Sequence, residues 1–269
     1  NLPNLNLTNL NLPKASMNQQ INKTEHQAVQ TSQTKKVKIV NLLPELLGTY
    51  GDQGNALTLA WRLRARGITC EVVNASAYEK LPTDGDFYLL GGGEDDAQIA
   101  AVELLREQRT LEQALDNGAQ IFAVCAGFQL LGQQFPASGG RTINGLGLLP
   151  IITESANKRS VGELLLESTI GVGKLTGFEN HAGQSKFVGL LKPLGTVITG
   201  IGNHDNEASD GALTDQIIAT YMHGPALVRN PELADFFLSR KLGVLPKFSE
   251  TGAEVFTDLH ASCVARASK

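Results

Sequence analysis

The sequence predicts an α/β fold with three layers, built on a mostly parallel sheet. Three observations predict it. Apolar, β-rich runs alternate with helical stretches between residues 37 and 124, glycine-rich turns punctuate them, and one apolar strand runs directly into Cys125-Ala126-Gly127 and a second apolar helix. A chain of 269 residues, 42% hydrophobic and with 28 glycines, fits one compact domain with an appended tail better than two full domains.

Residues 1–36 are rich in Asn, Gln, Thr and Lys and read as a disordered leader, too polar to offset the entropy of ordering. Met17 lies inside it. Residues 1–16 are therefore candidates for sequence upstream of the natural start, a hypothesis that the mass of the native protein decides. The ordered domain is expected over 37–243. Val37-Lys38-Ile39-Val40-Asn41-Leu42 is the first strand, and Gly51-Asp52-Gln53-Gly54-Asn55 is a turn in which Asp52 and Asn55 read as a helix cap. Ala56 to Arg66 carries leucines near the 3.6 period, and Gly67 stops it. Ile68–Val73 is a second strand. Asp86–Leu90 is a third, ending in Gly91-Gly92-Gly93. Asp95–Asp116 is helical with a break near Arg109-Thr110, and Gln120–Val124 is the fourth strand. Beyond residue 136 glycine-rich loops dominate, with strands expected around 161–166, 196–200 and 216–221 and a helix over Pro231–Leu242 ending at Gly243. The tail, 244–269, has weak helical periodicity. These elements make the sandwich flavodoxin-like.

A net charge of −4 supplies no basic field for nucleic acid, and no run approaches the roughly 18 apolar residues that span a bilayer. Three scattered cysteines form no disulfide framework and favour a reducing cytoplasm. Neither CxxC nor HExxH occurs, so no metal site is expected.

The chemistry concentrates at Ile121-Phe122-Ala123-Val124-Cys125-Ala126-Gly127-Phe128-Gln129-Leu130-Leu131-Gly132. A strand ending in a nucleophile, followed by small residues and a helix, is the form of a nucleophile elbow. Ala126 and Gly127 permit close backbone approach, and the helix start behind Cys125 favours a thiolate. A buried core thiol is the alternative. A thiolate nucleophile also needs a proton donor for the leaving amine. His223 supplies one, in Tyr221-Met222-His223-Gly224-Pro225 at a strand end. Backbone N–H groups of Gly91-Gly92-Gly93, with that of Ala126, could face an oxyanion, although a simple βα turn explains the glycines equally well. Cys70 reads as a core thiol, His26 and His260 as residues of mobile ends, His204 as a loop residue, and His181 as a loop histidine near the site entrance.

Taken together these motifs resemble the class I glutamine amidotransferases, and within them the cobyric-acid-synthase-like branch. Tyr50-Gly51-Asp52-Gln53-Gly54-Asn55, Gly177-Phe178-Glu179-Asn180-His181-Ala182-Gly183 and Asn230-Pro231-Glu232-Leu233-Ala234-Asp235 are similar to the small-subunit family of lipid II isoglutaminyl synthase. The resemblance covers residues 37–243. It implies the class I amidotransferase fold, with Cys125 as nucleophile, His223 as base and Arg159 as substrate ligand. It further implies substrate-binding positions at Gly92, Gly93, Ala126 and Gln129. On its residues alone Arg159 reads as an exposed charge at a strand end.

The resemblance also implies a reaction: glutamine is hydrolysed through a cysteinyl thioester and ammonia passes to a Mur-ligase-like, MurT-like subunit. That partner would carry ATP and magnesium and amidate the D-glutamate α-carboxyl of lipid II, while this subunit needs no cofactor. One departure stands out. Many class I members carry His-x-Glu, whereas here Pro225 stands two residues after His223. A carboxylate supplied to His223 by the partner is therefore expected, with weak hydrolysis by the chain alone. The competing readings are a cobyrinic-acid-type amidotransferase, a non-catalytic scaffold and a cysteine hydrolase acting alone.

Overall fold

Buried apolar strands set the order of the first sheet. β1 (Val37–Leu42) leads through a tight loop to α1 (Gly54–Arg64), β2 (Cys70–Ala75) and β3 (Phe87–Leu90). In the computed structural model, which describes residues 36–249 and 251–269, α2 (Asp95–Gln108) and α3 (Thr110–Asp116) come next. The expected break between these helices falls at Arg109, whose φ is +49°. β4 (Gln120–Val124) then runs into α4 (Ala126–Leu131). The leader reading and His26 lie outside the described residues, save for Lys36.

The middle of the chain departs from expectation. β5 (Gln134–Ala137), β6 (Arg141–Asn144), β7 (Ile151–Ser168), β8 (Lys174–Phe187), β9 (Gly195–Thr199) and β10 (Ser209–Asp210) form a second sheet. Its centre is the long antiparallel pair β7–β8, whose register shifts between Ser155 and Ser160. The chain then returns to the first sheet with β11 (Ala212–Leu213) and β12 (Ile217–Thr220), and closes with α5 (Ala226–Arg229), α6 (Pro231–Leu242) and α7 (Ala253–Ala267). The tail thus does form a helix. It is anchored by Phe256 against Trp61 (ring centroids 4.8 Å apart) and by His260 Nδ1 at 2.8 Å from the Arg229 carbonyl.

The first sheet has the order β11-β12-β4-β3-β1-β2, with every neighbouring pair parallel except β11–β12. Parallel strands buried on both faces read as continuous apolar runs, as VKIVNL, FYLL, QIFAV and IIAT do. α1 and α6 meet each other and the strands; α4, which α2 packs against, meets β3 and β4. The Phe237 ring of α6 is tilted against those of Phe87 and Phe122, at centroid distances of 5.3 and 5.7 Å. The consequence for the site is topological. The loops after β12, β4, β3 and β1, four adjacent strands, open at one carboxyl edge, where ligands of open α/β sheets bind.

Candidate active site

Cys125 sits where β4 gives way to α4, with φ +53° and ψ −106°. A non-glycine residue held there is strained, and such strain at a strand-to-helix turn marks a nucleophile elbow. The turn is fixed from both sides. Cys125 N–H donates to the Thr220 carbonyl of β12 at 2.9 Å, and Gly127 N–H donates to the Gly91 carbonyl at 3.1 Å. A Cβ on Gly127 would lie 2.7 Å from that of Leu90, so only glycine lets α4 start this close to β3. α4 is six residues long.

His223 follows β12. Its backbone is clamped by Phe178 of β8, N–H to carbonyl in both directions at 2.9 and 3.0 Å, so the second sheet fixes the histidine of the first. The residue is 2% exposed. Its Nδ1 lies 2.9 Å from Oδ2 of Asp52, itself 3% exposed. A carboxylate only accepts, so Nδ1 carries the proton. Nε2 is buried and has no hydrogen-bond partner among the described residues, while Cys125 lies near enough to influence the ring's charge. Burial opposes an imidazolium here, but the hydrogen bond to Asp52, with the neighbouring Cys125 and the Asp52 charge, pushes the His223 pKa up to about 10.

Asp52 overturns two expectations. It is no helix cap: Gln53 occupies the N-cap of α1, without a side-chain bond. And the imidazole has a carboxylate within its own chain, so the position left by Pro225 does not leave His223 waiting for one. Local sequence could not reveal this, because Asp52 and His223 are 171 residues apart. The available signal was topological: Asp52 lies in the loop after β1, at the same sheet edge. Asn55 is likewise a tertiary tie, its Oδ1 accepting from Leu227 N–H at 2.8 Å.

A cavity of about 340 Å³ opens over Cys125, with Gly93, Ala126, Gln129, Arg159 and His181 on its walls. That volume suits one small polar molecule. Gly92 is a correction: it does not line the cavity, and its N–H donates to Asp52 Oδ2 at 2.9 Å instead of facing a ligand. A Cβ there would stand 2.8 Å from His223 Cε1, which is why the position needs glycine. Arg159 sits inside β7, not at a strand end, and its guanidinium donates to Asn180 Oδ1 at 2.6 Å and to Tyr50 Oη at 3.3 Å. Gln129 lies deeper. Its Oε1 accepts from Gln98 and its Nε2 donates to Tyr221 Oη at 3.2 Å, a buried chain continued by Ser185 and Thr153.

His181 is not a solvated loop histidine but a buried residue of β8, stacked on Tyr221 at 3.8 Å. Cys70 is a core thiol as expected; Cys263 is also buried, and all three cysteines are free. Among the described residues no cluster of three or more His, Cys, Asp or Glu could hold a metal, and no helix is long and apolar enough to cross a membrane.

Residues 38–231 match the CobB/CobQ-like glutamine amidotransferase domain. Over 207 residues the chain is 33% identical to the GatD subunit of lipid II isoglutaminyl synthase (glutamine-hydrolyzing) of Staphylococcus aureus, covering 76% of this chain and 84% of that one. Identity to the GatD subunit of Streptococcus pneumoniae is also 33%, over 202 residues, covering 74% and 78%. A crystal structure of a glutamine amidotransferase shares the fold at a TM-score of 0.51 and 21% identity, covering 76% of this chain and 99% of that chain. The chain belongs to the CobB/CobQ-like glutamine amidotransferase family.

Proposed function

From that family membership, we propose that the chain is the glutaminase subunit of a lipid II isoglutaminyl synthase. The observation that carries the reading is the strained Cys125 beside a buried histidine whose far nitrogen is held by a carboxylate. Cys125 Sγ, its proton taken by His223 Nε2, attacks the side-chain carboxamide carbon of glutamine. The oxyanion is met by the N–H groups of Gly93 and Ala126. His223 returns the proton to the leaving nitrogen, the C–N bond breaks, and ammonia departs from a glutamyl thioester. Water, deprotonated by His223, then cleaves the thioester, so that glutamine and water give glutamate and ammonia. Arg159 pairs with the α-carboxylate of glutamine, as a planar guanidinium suits.

The ammonia is used by a Mur-ligase-like, MurT-like partner in the cytoplasm, which binds ATP and magnesium and amidates the D-glutamate α-carboxyl of lipid II. This subunit works without a cofactor of its own. The similarity to two GatD subunits over most of their length supports this acceptor. The test is ammonia release from glutamine by the chain alone and with the partner, together with amidation of lipid II by the pair. Release that depends on Cys125 and amidation of lipid II support the reading; release without amidation of lipid II rejects that acceptor, and release unchanged by Cys125→Ala rejects the mechanism.

A further inference from the structure

We propose that Tyr50 is a positioning residue that spans the two ends of the site, its hydroxyl holding the Arg159 guanidinium and its ring the His223 imidazole. Its part in turnover rests on the glutaminase reading, in which Arg159 takes the α-carboxylate of glutamine. Tyr50 lies in the loop between β1 and α1 with φ +67°, a left-handed conformation that a bulky side chain rarely adopts. Gly51 follows it at φ +75°, where glycine accepts the geometry without steric cost. Tyr50 has no such freedom, and core packing does not account for it, because the residue is 41% exposed. Backbone strain held outside the core points to a side chain placed for function.

The contacts of that side chain are with both working ends of the cavity. Tyr50 lines the cavity over Cys125, and its ring lies 4.7 Å from the His223 imidazole, tilted by 51°. A Cβ on Gly92 would stand 3.5 Å from Tyr50 Cδ2 and 2.8 Å from His223 Cε1, so the two rings and the glycine backbone pack closely. The tyrosine ring thus restrains the imidazole and keeps water from one side of it. At the other end, Tyr50 Oη accepts from Arg159 Nη2 at 3.3 Å. The same guanidinium donates from Nε to Asn180 Oδ1 at 2.6 Å and from Nη2 to the Asn180 carbonyl at 3.2 Å. Nη1 has no hydrogen-bond partner among the described residues, which leaves it to a carboxylate ligand. Asn180 belongs to β8 of the second sheet. Of the three bonds, the one to Tyr50 alone crosses to the sheet that carries Cys125 and His223. Tyr50 therefore sets the spacing between the carboxylate ligand and the reacting atoms.

The experiment measures kcat and KM for glutamine in full chains: wild type, Tyr50→Phe, Tyr50→Asn, Arg159→Ala and the double variant Tyr50→Phe with Arg159→Ala. Tyr50→Phe keeps the ring and loses the acceptor, so KM should rise about 3–10-fold with kcat little changed, the loss of one hydrogen bond. In the Arg159→Ala background the same change should add nothing to KM. Tyr50→Asn removes the ring from a backbone that asparagine tolerates. Its kcat should fall on the order of 10–10²-fold, while its urea midpoint stays at or above that of wild type. A Tyr50→Phe effect of equal size with and without Arg159 overturns the proposal. So does a Tyr50→Asn chain that keeps its kcat, or one whose urea midpoint drops with it, since that is a folding role. If wild type releases no ammonia from glutamine, the glutaminase reading fails and alkylation of Cys125 decides the positioning role. Anionic iodoacetate is compared with neutral iodoacetamide, because a guanidinium held at the cavity favours the anion. A preference for iodoacetate that drops in both Arg159→Ala and Tyr50→Phe upholds the link, and a preference unchanged in Tyr50→Phe overturns it.

Discussion

Two buried histidines belong to this site, His181 on the cavity wall and His223 near Cys125, each beside a buried carboxylate, and they differ in what is left over. His181 Nδ1 lies 2.8 Å from the Gly183 carbonyl and its Nε2 lies 3.3 Å from Glu179, so both nitrogens are taken by the β8 framework. Glu179 is itself held by Ile201 and Gly202 N–H at 2.8 and 2.9 Å, and the ring stacks on Tyr221. His223 uses only Nδ1, on Asp52, and its Nε2 has no hydrogen-bond partner among the described residues. Two acceptors make a histidine a strut; one acceptor and one unengaged nitrogen next to a thiol suit His223 to the base role proposed for it.

The sharpest way to break this contrast is to remove the reacting atoms. Cys125→Ala should lose on the order of 10⁶-fold in kcat for glutamine hydrolysis, and His223→Gln about as much, since residues that act as a unit fail together. Combining the two should cost little more than either alone, and additive losses in the ammonia assay would separate them. Arg159→Ala comes next, with KM for glutamine rising about 10–100-fold at nearly unchanged kcat, the loss of one charge-assisted contact. His181→Gln should act on the other side of the comparison. Urea unfolding should show a loss of about 1–3 kcal/mol from its buried partners, with kcat within a few-fold of wild type. A large kcat loss at full stability would make His181 part of the chemistry. A further effect is on pH. The pKa of His223 is raised in the fold from 6.5 to about 10, so its contribution to stability is complete below about pH 6.5 and is lost as pH rises through about 10. Unfolding midpoints should decline over that window in wild type and less so in His223→Gln.

Much of this was legible in sequence because the parallel strands are continuous apolar runs bounded by glycine. Cys125 announced itself through the strand, the two small residues and the helix that follow one another there. The β7–β8 pair was hidden for a physical reason: Glu154, Lys158 and Arg159 are exposed along β7, so the period-two pattern that betrays a half-buried strand is broken. With that pair went the true settings of Arg159 and His181. Asp52 was hidden differently. A turn aspartate before a helix has a sufficient local explanation, and only the strand order β12-β4-β3-β1 brings it to His223.

The most direct measurement is covalent trapping. The full chain is treated with a glutamine analogue carrying a chloroketone in place of the carboxamide, and the modified cysteine is located by mass spectrometry in wild type and in His223→Gln. One adduct on Cys125, none on Cys70 or Cys263, protection by glutamine and loss of rapid labelling in His223→Gln is the predicted result. Labelling spread over all three cysteines, or labelling of Cys125 at equal rates with and without His223, would contradict it.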